Sequence, residues 1–218
     1  MALFQNATFL KSATSRRDLP RDSRVEVAIA GRSNAGKSSA LNALANRRRL
    51  AFVSKTPGRT QEINYFRIAE GTYLVDLPGY GYAKVPGEIK QRWQTFLSEF
   101  LSTREALAGL VLVMDVRHPL TENDRVMLEW FSPTGKPVHV LLTKSDKLTR
   151  QAALKTLNAV DVFLAQHHPH HSVQLFSSVK RSGLEQAERV IADWLGITRP
   201  PEIKNPRLKG SKTGGETP

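Results

Sequence analysis

A chain of 218 residues has room for one hydrophobic core of ordinary size, and its 40% hydrophobic and 24% charged residues are in the usual globular balance. The absence of cysteine excludes disulfides, thiolate metal sites and cysteine nucleophiles, and no apolar run approaches the roughly 20 residues of a membrane-spanning helix. The net charge of +12 is the unusual quantity: its positive field attracts polyanions and points to a nucleic-acid-bearing partner.

Met1–Leu10 shows no basic start ahead of a long apolar stretch, so no export signal is expected and cytoplasm is the default compartment. Residues 1–24 read as an N-terminal extension with a basic cluster of Arg16, Arg17, Arg21 and Arg24. Val25–Ala30 is a short β-type run ending at Gly31, and Lys37–Asn46 reads as a helix with Leu41 and Leu44 on one face. After Arg47, Arg48 and Arg49, the runs Ile63–Ile68 and Thr72–Leu77 predict two strands joined through Gly71. Glu88–Leu101 is helical, and its stripe of Trp93, Phe96, Leu97, Phe100 and Leu101 belongs in the core. Leu110–Met114 and Val138–Leu142 predict buried strands, with a helix over Glu122–Phe131 between them. A helix over Ala152–Gln166, a strand over Val173–Phe176 and a helix over Leu184–Leu195 complete the pattern, with further basic clusters at Lys144, Lys147, Arg150 and at Lys180, Arg181. Pro200 and Pro201 end it, and residues 200–218 predict a basic, disordered tail. Strands alternating with helices predict an α/β domain over 25–199. Its sheet is mostly parallel and six-stranded, with one antiparallel strand from the hairpin and helices on both faces.

The strongest motif is Gly31-Arg32-Ser33-Asn34-Ala35-Gly36-Lys37-Ser38, which fits G-x-x-x-x-G-K-[ST] between a strand and a helix, the fingerprint of a P-loop NTPase. Its glycines let backbone N–H groups turn inward around phosphate oxygens. Lys37 would reach the terminal phosphates, stabilising their charge during catalysis, and the Ser38 hydroxyl would bind Mg²⁺. Asp76-Leu77-Pro78-Gly79 ends an apolar strand about forty residues later, where the carboxylate can hold a Mg²⁺-bound water and the Gly79 N–H a γ-phosphate oxygen. Between them lies Thr56-Pro57-Gly58-Arg59-Thr60-Gln61, a segment placed where a switch loop must be. Thr60 is the first candidate for a second Mg²⁺-binding hydroxyl and Thr56 the runner-up. Gly58, Arg59, Thr60, Gln61 and Glu62 would close over the γ-phosphate. Gly79 to Lys84 would form a second switch.

Thr143-Lys144-Ser145-Asp146 follows a buried strand and selects the base. A carboxylate at Asp146 can accept from both N1–H and the exocyclic amine of guanine, donors that adenine does not present as a pair. The Lys144 stem can cover one face of the ring. The commoner form of the motif starts with Asn; Thr143 can still hydrogen-bond neighbouring loops. Phe176-Ser177-Ser178, after the last strand, could offer a backbone N–H to guanine O6. The ligand is therefore GTP or GDP.

In this order and spacing, G-R-S-N-A-G-K-S, T-P-G-R-T-Q, D-L-P-G-Y-G-Y-A, T-K-S-D and F-S-S resemble the EngB (YihA/YsxC) family of Era-like, translation-factor-class bacterial GTPases, over about residues 4–199. The resemblance implies a single-domain G protein required in assembly of the large ribosomal subunit, and needed for normal cell division and septation. It also implies that Asn34, which matches an asparagine holding K⁺ beside the phosphates in related GTPases, gives K⁺ stimulation. Tyr80 stands where Ras-type enzymes place the glutamine that orients water, so no side-chain base is assigned and slow intrinsic hydrolysis is expected. A monomer away from membranes is expected.

Two other classes compete. One is a nucleotide-gated RNA- or ribosome-binding module whose hydrolysis is incidental. The other, an ATP-dependent small-molecule kinase, fails on Asp146 and on the lack of an arginine-rich lid. His167, His168, His170 and His171 sit in a polar turn with no acidic partner nearby in sequence, a weak candidate for metal. Asp115 and His118 read as structural.

Overall fold

The computed structural model describes residues 4–47, 50, 62–80 and 87–198. The expectations placed on Thr56, Gly58, Arg59, Thr60, Gln61, the stretch 81–84 and the tail 200–218 lie outside the described residues.

Among the described residues seven strands form one sheet in the order β1-β3-β4-β2-β5-β6-β7, one strand more than expected. Their ranges are β1 Thr8–Ala13, β2 Val25–Gly31, β3 Ile63–Ala69, β4 Thr72–Asp76, β5 Leu107–Asp115, β6 Val138–Thr143 and β7 His171–Leu175. Strands β4, β2, β5, β6 and β7 pair in parallel, and β3 runs against both its neighbours. The unexpected strand, β1, lies inside what the sequence marks as an extension. It pairs antiparallel with β3, setting Phe9 opposite Phe66 with ring centroids 6.0 Å apart.

The helices are α1 Lys37–Leu44, α2 Gly87–Thr103, α3 Glu122–Phe131, α4 Arg150–His167 and α5 Leu184–Trp194. Alternation along the strands divides the core in two, because successive side chains leave a strand on opposite faces. Ala28, Leu110, Leu112, Val140 and Leu142 face α2, α3 and α4, meeting Leu97, Leu101, Phe131 and Leu164. Val27, Ile29, Val111, Val113 and Leu141 face α1 and α5, meeting Leu41, Leu44, Ala187 and Ile191. Burial on both faces explains why β5 and β6 read as unbroken apolar runs. On α2, Leu97, Phe100 and Leu101 are buried and Trp93 and Phe96 pack half-buried beside them, as the stripe requires.

Local signals set the helix starts. At α3, Thr121 and Asp124 form a reciprocal cap: Asp124 Oδ2 accepts from the Thr121 N–H (2.9 Å) and hydroxyl (2.7 Å). α1 starts after Gly36, whose φ of +101° is open to glycine and strained for other residues. Among the described residues no helix is long and apolar enough to cross a membrane.

Candidate functional site

The five parallel strands deliver their carboxyl ends to one edge of the sheet, the edge at which open α/β sheets hold ligands. The motifs read from the sequence collect there at two ends, one suited to phosphate and one to a base.

At the phosphate end, β2 runs into Gly31–Ser38 and then α1. Gly31 lies so close to β5 that a methyl group on it would sit 2.8 Å from the Val113 carbonyl oxygen. β4 places Asp76 beside Ile29 of β2, and the Lys37 ammonium forms a close ion pair with Asp76 Oδ1, both side chains only about a tenth exposed. The chain then runs along the loop. The Leu77 N–H donates to the Ile29 carbonyl (3.0 Å), and a methyl on Gly79 would come within 3.4 Å of the Ser33 backbone. Tyr80 bridges Arg32, and the Ser33 N–H donates to the Tyr80 carbonyl (3.0 Å). The Ala35 N–H likewise turns back onto the Arg32 carbonyl (2.9 Å). The amides of Ser33 and Ala35 are thus already donated, while the first-turn amides of α1, at Lys37 and Ser38, are among those a helix leaves without internal acceptors.

At the base end, Thr143 closes β6. Its hydroxyl reaches the carbonyls of Met114 (3.0 Å) and of Ala35 in the phosphate loop, donating its one proton to either. Lys144 adopts the left-handed conformation (φ +58°), and its ammonium donates to the Asn34 carbonyl (2.6 Å) and pairs with Asp115 (2.9 Å). Ser145 is held by its N–H donating to the Phe176 carbonyl (3.2 Å). The Ser177 hydroxyl, fully buried, donates to Asp146 Oδ1 (2.6 Å). That bond, ahead of the field of Lys147, holds the Asp146 carboxyl below its ordinary pKa, so it stays an acceptor. The N–H groups of Phe176 and Ser177 donate to the carbonyls of Leu142 (2.9 Å) and Ser182 (3.1 Å). Neither is available for a guanine oxygen, and Ser178, half-buried, is the remaining one of the three.

Two parts of the site escaped sequence reasoning. Asp115, read as structural, is buried at the end of β5 and grips the guanine-motif lysine. Burial pushes its carboxyl up, but hydrogen bonds from Arg117 and Lys144 outweigh this and hold it well below the carboxylate range. An acidic residue ending an otherwise apolar strand was the available signal. The other is the partner of Tyr80, a residue the sequence marks: the tyrosine hydroxyl donates to Asp124 Oδ1 (2.6 Å), at the start of α3, and burial pushes its pKa well above the ordinary value. Glu62 lies half-buried just before β3.

The histidine turn needs a correction. His171 does have an acidic partner, Asp161 at 3.2 Å, because β7 folds back along α4 and brings them together. Among the described residues no group of three His, Cys, Asp or Glu could hold a metal. A cavity of about 730 Å³, lined by Arg16, Arg17, Arg21, Phe96 and Arg104 among others, lies at the opposite pole of the sheet and contains none of the predicted site residues.

The chain is 56% identical to a probable GTP-binding protein EngB of Dechloromonas aromatica, over 97% of each chain. It is 61% identical to that of Methylobacillus flagellatus, over 89% of this chain and 94% of the other. The chain belongs to the EngB family of GTP-binding proteins. The family described as 50S ribosome-binding GTPase matches residues 26–144, so an EngB GTPase domain spans the phosphate loop, Asp76–Gly79 and the start of the guanine motif. A solved structure of a probable GTP-binding protein engB superposes with a TM-score of 0.62 over 79% of this chain and 99% of that one. At 20% identity, that match shows the shared G-domain fold.

Proposed function

We propose that this chain is a slow, Mg²⁺-dependent GTPase switch that binds GTP and GDP at the edge just described. The observation that carries it is Asp146: a carboxylate kept charged and aimed by Ser177, on the same sheet edge as the Lys37–Asp76 pair. Asp146 accepts from guanine, the Lys144 stem covers the ring, and the Ser178 N–H is the donor for O6. Gly31, Arg32, Ser33, Asn34, Ala35, Gly36, Lys37 and Ser38 wrap the phosphates. Gly58 to Glu62, with Leu77, Pro78 and Gly79, complete the γ-phosphate side.

The Ser38 hydroxyl and the Asp76 carboxylate are hard oxygen donors beside Lys37, the donor type Mg²⁺ takes; Thr60 is the proposed third. The ion would neutralise charge on the β- and γ-phosphate oxygens. Lys37 must leave Asp76 to reach those oxygens. Tyr80 supplies no base, its hydroxyl already being donated to Asp124, which agrees with a low intrinsic rate. Asn34, exposed at a left-handed position (φ +62°), is the proposed K⁺ contact. Equal turnover in KCl and NaCl would remove that assignment.

The match to 50S ribosome-binding GTPases and the charge of +12 support action on the large ribosomal subunit or its precursor; a cytoplasmic monomer, with consequences for division and septation, completes the proposal. Titration with GDP and ADP tests the base assignment, and comparable affinities would sink it. Sedimentation with ribosomal particles tests the partner: binding with a GTP analogue and release with GDP are expected, and no co-sedimentation in either state overturns the ribosomal role.

A further inference from the structure

The loop from Ser177 to Ser182 carries three side chains, Val179, Lys180 and Arg181, that make no hydrogen bond or ion pair to the described residues of the nucleotide site. Ser177 and Ser182 exchange both backbone hydrogen bonds (3.1 Å each), and the Lys180 N–H donates to the Ser177 hydroxyl (3.1 Å). Arg181 is fixed in the left-handed conformation (φ +53°). A loop closed in this way presents its tip, Val179-Lys180-Arg181, in one conformation. Val179 is 79% exposed, the most exposed of the large apolar side chains among the described residues, and Lys180 and Arg181 are exposed beside it.

The tip does not stand alone. Ser177 joins it to Asp146, and the fields of Lys147 and Lys180 both reach that carboxylate, which puts two ammonium groups on one rim. Arg150, also exposed, opens α4 three residues after Lys147. Asp146 itself is nearly buried, and the Lys147 ammonium lies 3.8 Å from it with its side chain 62% exposed. The salt bridges among the described residues involve none of Arg150, Lys180 and Arg181; Glu185, the next acidic residue along the chain, pairs with Arg189 at 3.5 Å. The exposed charges of this rim and tip, Lys147, Arg150, Lys180 and Arg181, are thus all positive, and Val179 is the one large apolar side chain exposed on the tip. A stable protein partner buries on the order of 800 Å² per side and keeps charged residues, lysine above all, away from the centre of the patch. Cations with little apolar area suit a phosphodiester backbone instead.

We propose that Val179-Lys180-Arg181, with Lys147 and Arg150, is a docking surface for RNA, its phosphates on the cations and its sugar or base faces on Val179. This deepens the ribosomal reading above and rests on it for the presence of an RNA-bearing partner.

The experiment uses the full chain and a fluorescently labelled transcript of large-subunit ribosomal RNA, with binding followed by anisotropy over a salt series. Lys180→Gln with Arg181→Gln is compared with Arg17→Gln plus Arg21→Gln, which removes the same charge at the opposite pole. The tip variant is expected to lose roughly tenfold in affinity and to flatten the log K against log salt slope by about 1.4, the value for two single-strand phosphate contacts. The opposite-pole variant should bind as the unaltered chain does. GDP affinity of the tip variant should change by less than about threefold, since Ser177 holds Asp146 charged ahead of the weak field of Lys180, and this separates a lost surface from a lost fold. If the tip variant binds RNA normally, the surface is wrong and the RNA reading stands. If the opposite-pole variant loses as much, bulk charge is responsible and the proposal falls. If the unaltered chain binds no RNA, both fail. Loss of binding to intact particles but not to the naked transcript would mean a protein contact, and also overturns it.

Discussion

The two ends of the candidate site are built on opposite plans. At the base end each acidic group is held by a neighbour that leaves it an acceptor: Ser177 fixes Asp146, and Arg117 and Lys144 fix Asp115. At the phosphate end Lys37 and Asp76 neutralise each other, and on the proposed reading they must separate before either meets a ligand. One end is preorganised and the other is latched, so base selection and phosphate chemistry should be separable by mutation. Asp146→Asn is the largest test: GDP affinity should fall on the order of 10⁴-fold in a nucleotide titration, with discrimination against ADP abolished. Lys37→Ala should lower GTP turnover by roughly 10²–10³ in a phosphate-release assay while the GDP-to-ADP preference survives. A changed preference would mean that the ends are not independent.

Acid offers a way to loosen the base end through the strands beneath it. His139 on β6 is buried, with Nδ1 2.7 Å from the Ser172 hydroxyl and Nε2 3.0 Å from Gln174 Oε1, and burial pulls its pKa from 6.5 to about 4. The unfolded chain takes up the proton near the ordinary value and the folded chain only near 4, so stability is full above pH 6.5 and declines as pH falls through that window. The loss approaches about 3 kcal/mol. Denaturant midpoints across that range should show it, and His139→Gln should flatten the difference. The smallest effect tests the joint between the ends. Thr143→Val removes a hydroxyl within reach of both Met114 and Ala35, and should cost about 1–2 kcal/mol of stability with turnover per bound GTP preserved.

What the sequence revealed follows the range of the forces involved. Helix α3 has the predicted bounds because its start is written locally in Thr121 and Asp124. The hairpin, the phosphate-loop motif, the strand end carrying Asp76 and the turn carrying Asp146 were legible because they are runs and turns. Strand β1 was not: it is a short edge strand, Phe9 on it is 57% exposed, and its partner lies fifty residues on. The pairs Lys37–Asp76, Ser177–Asp146 and Asp161–His171 were equally hidden, since pattern places elements while contacts across elements depend on packing.

One carboxylate connects the phosphate end to the rest of the molecule. Asp124 offers Oδ1 to the Tyr80 hydroxyl and Oδ2 to the first turn of α3. The two oxygens share one rigid plane, so a tug on the tyrosine swings the peg from which that helix hangs. A displacement of Tyr80 would therefore be felt, like a bell-pull, at the start of α3.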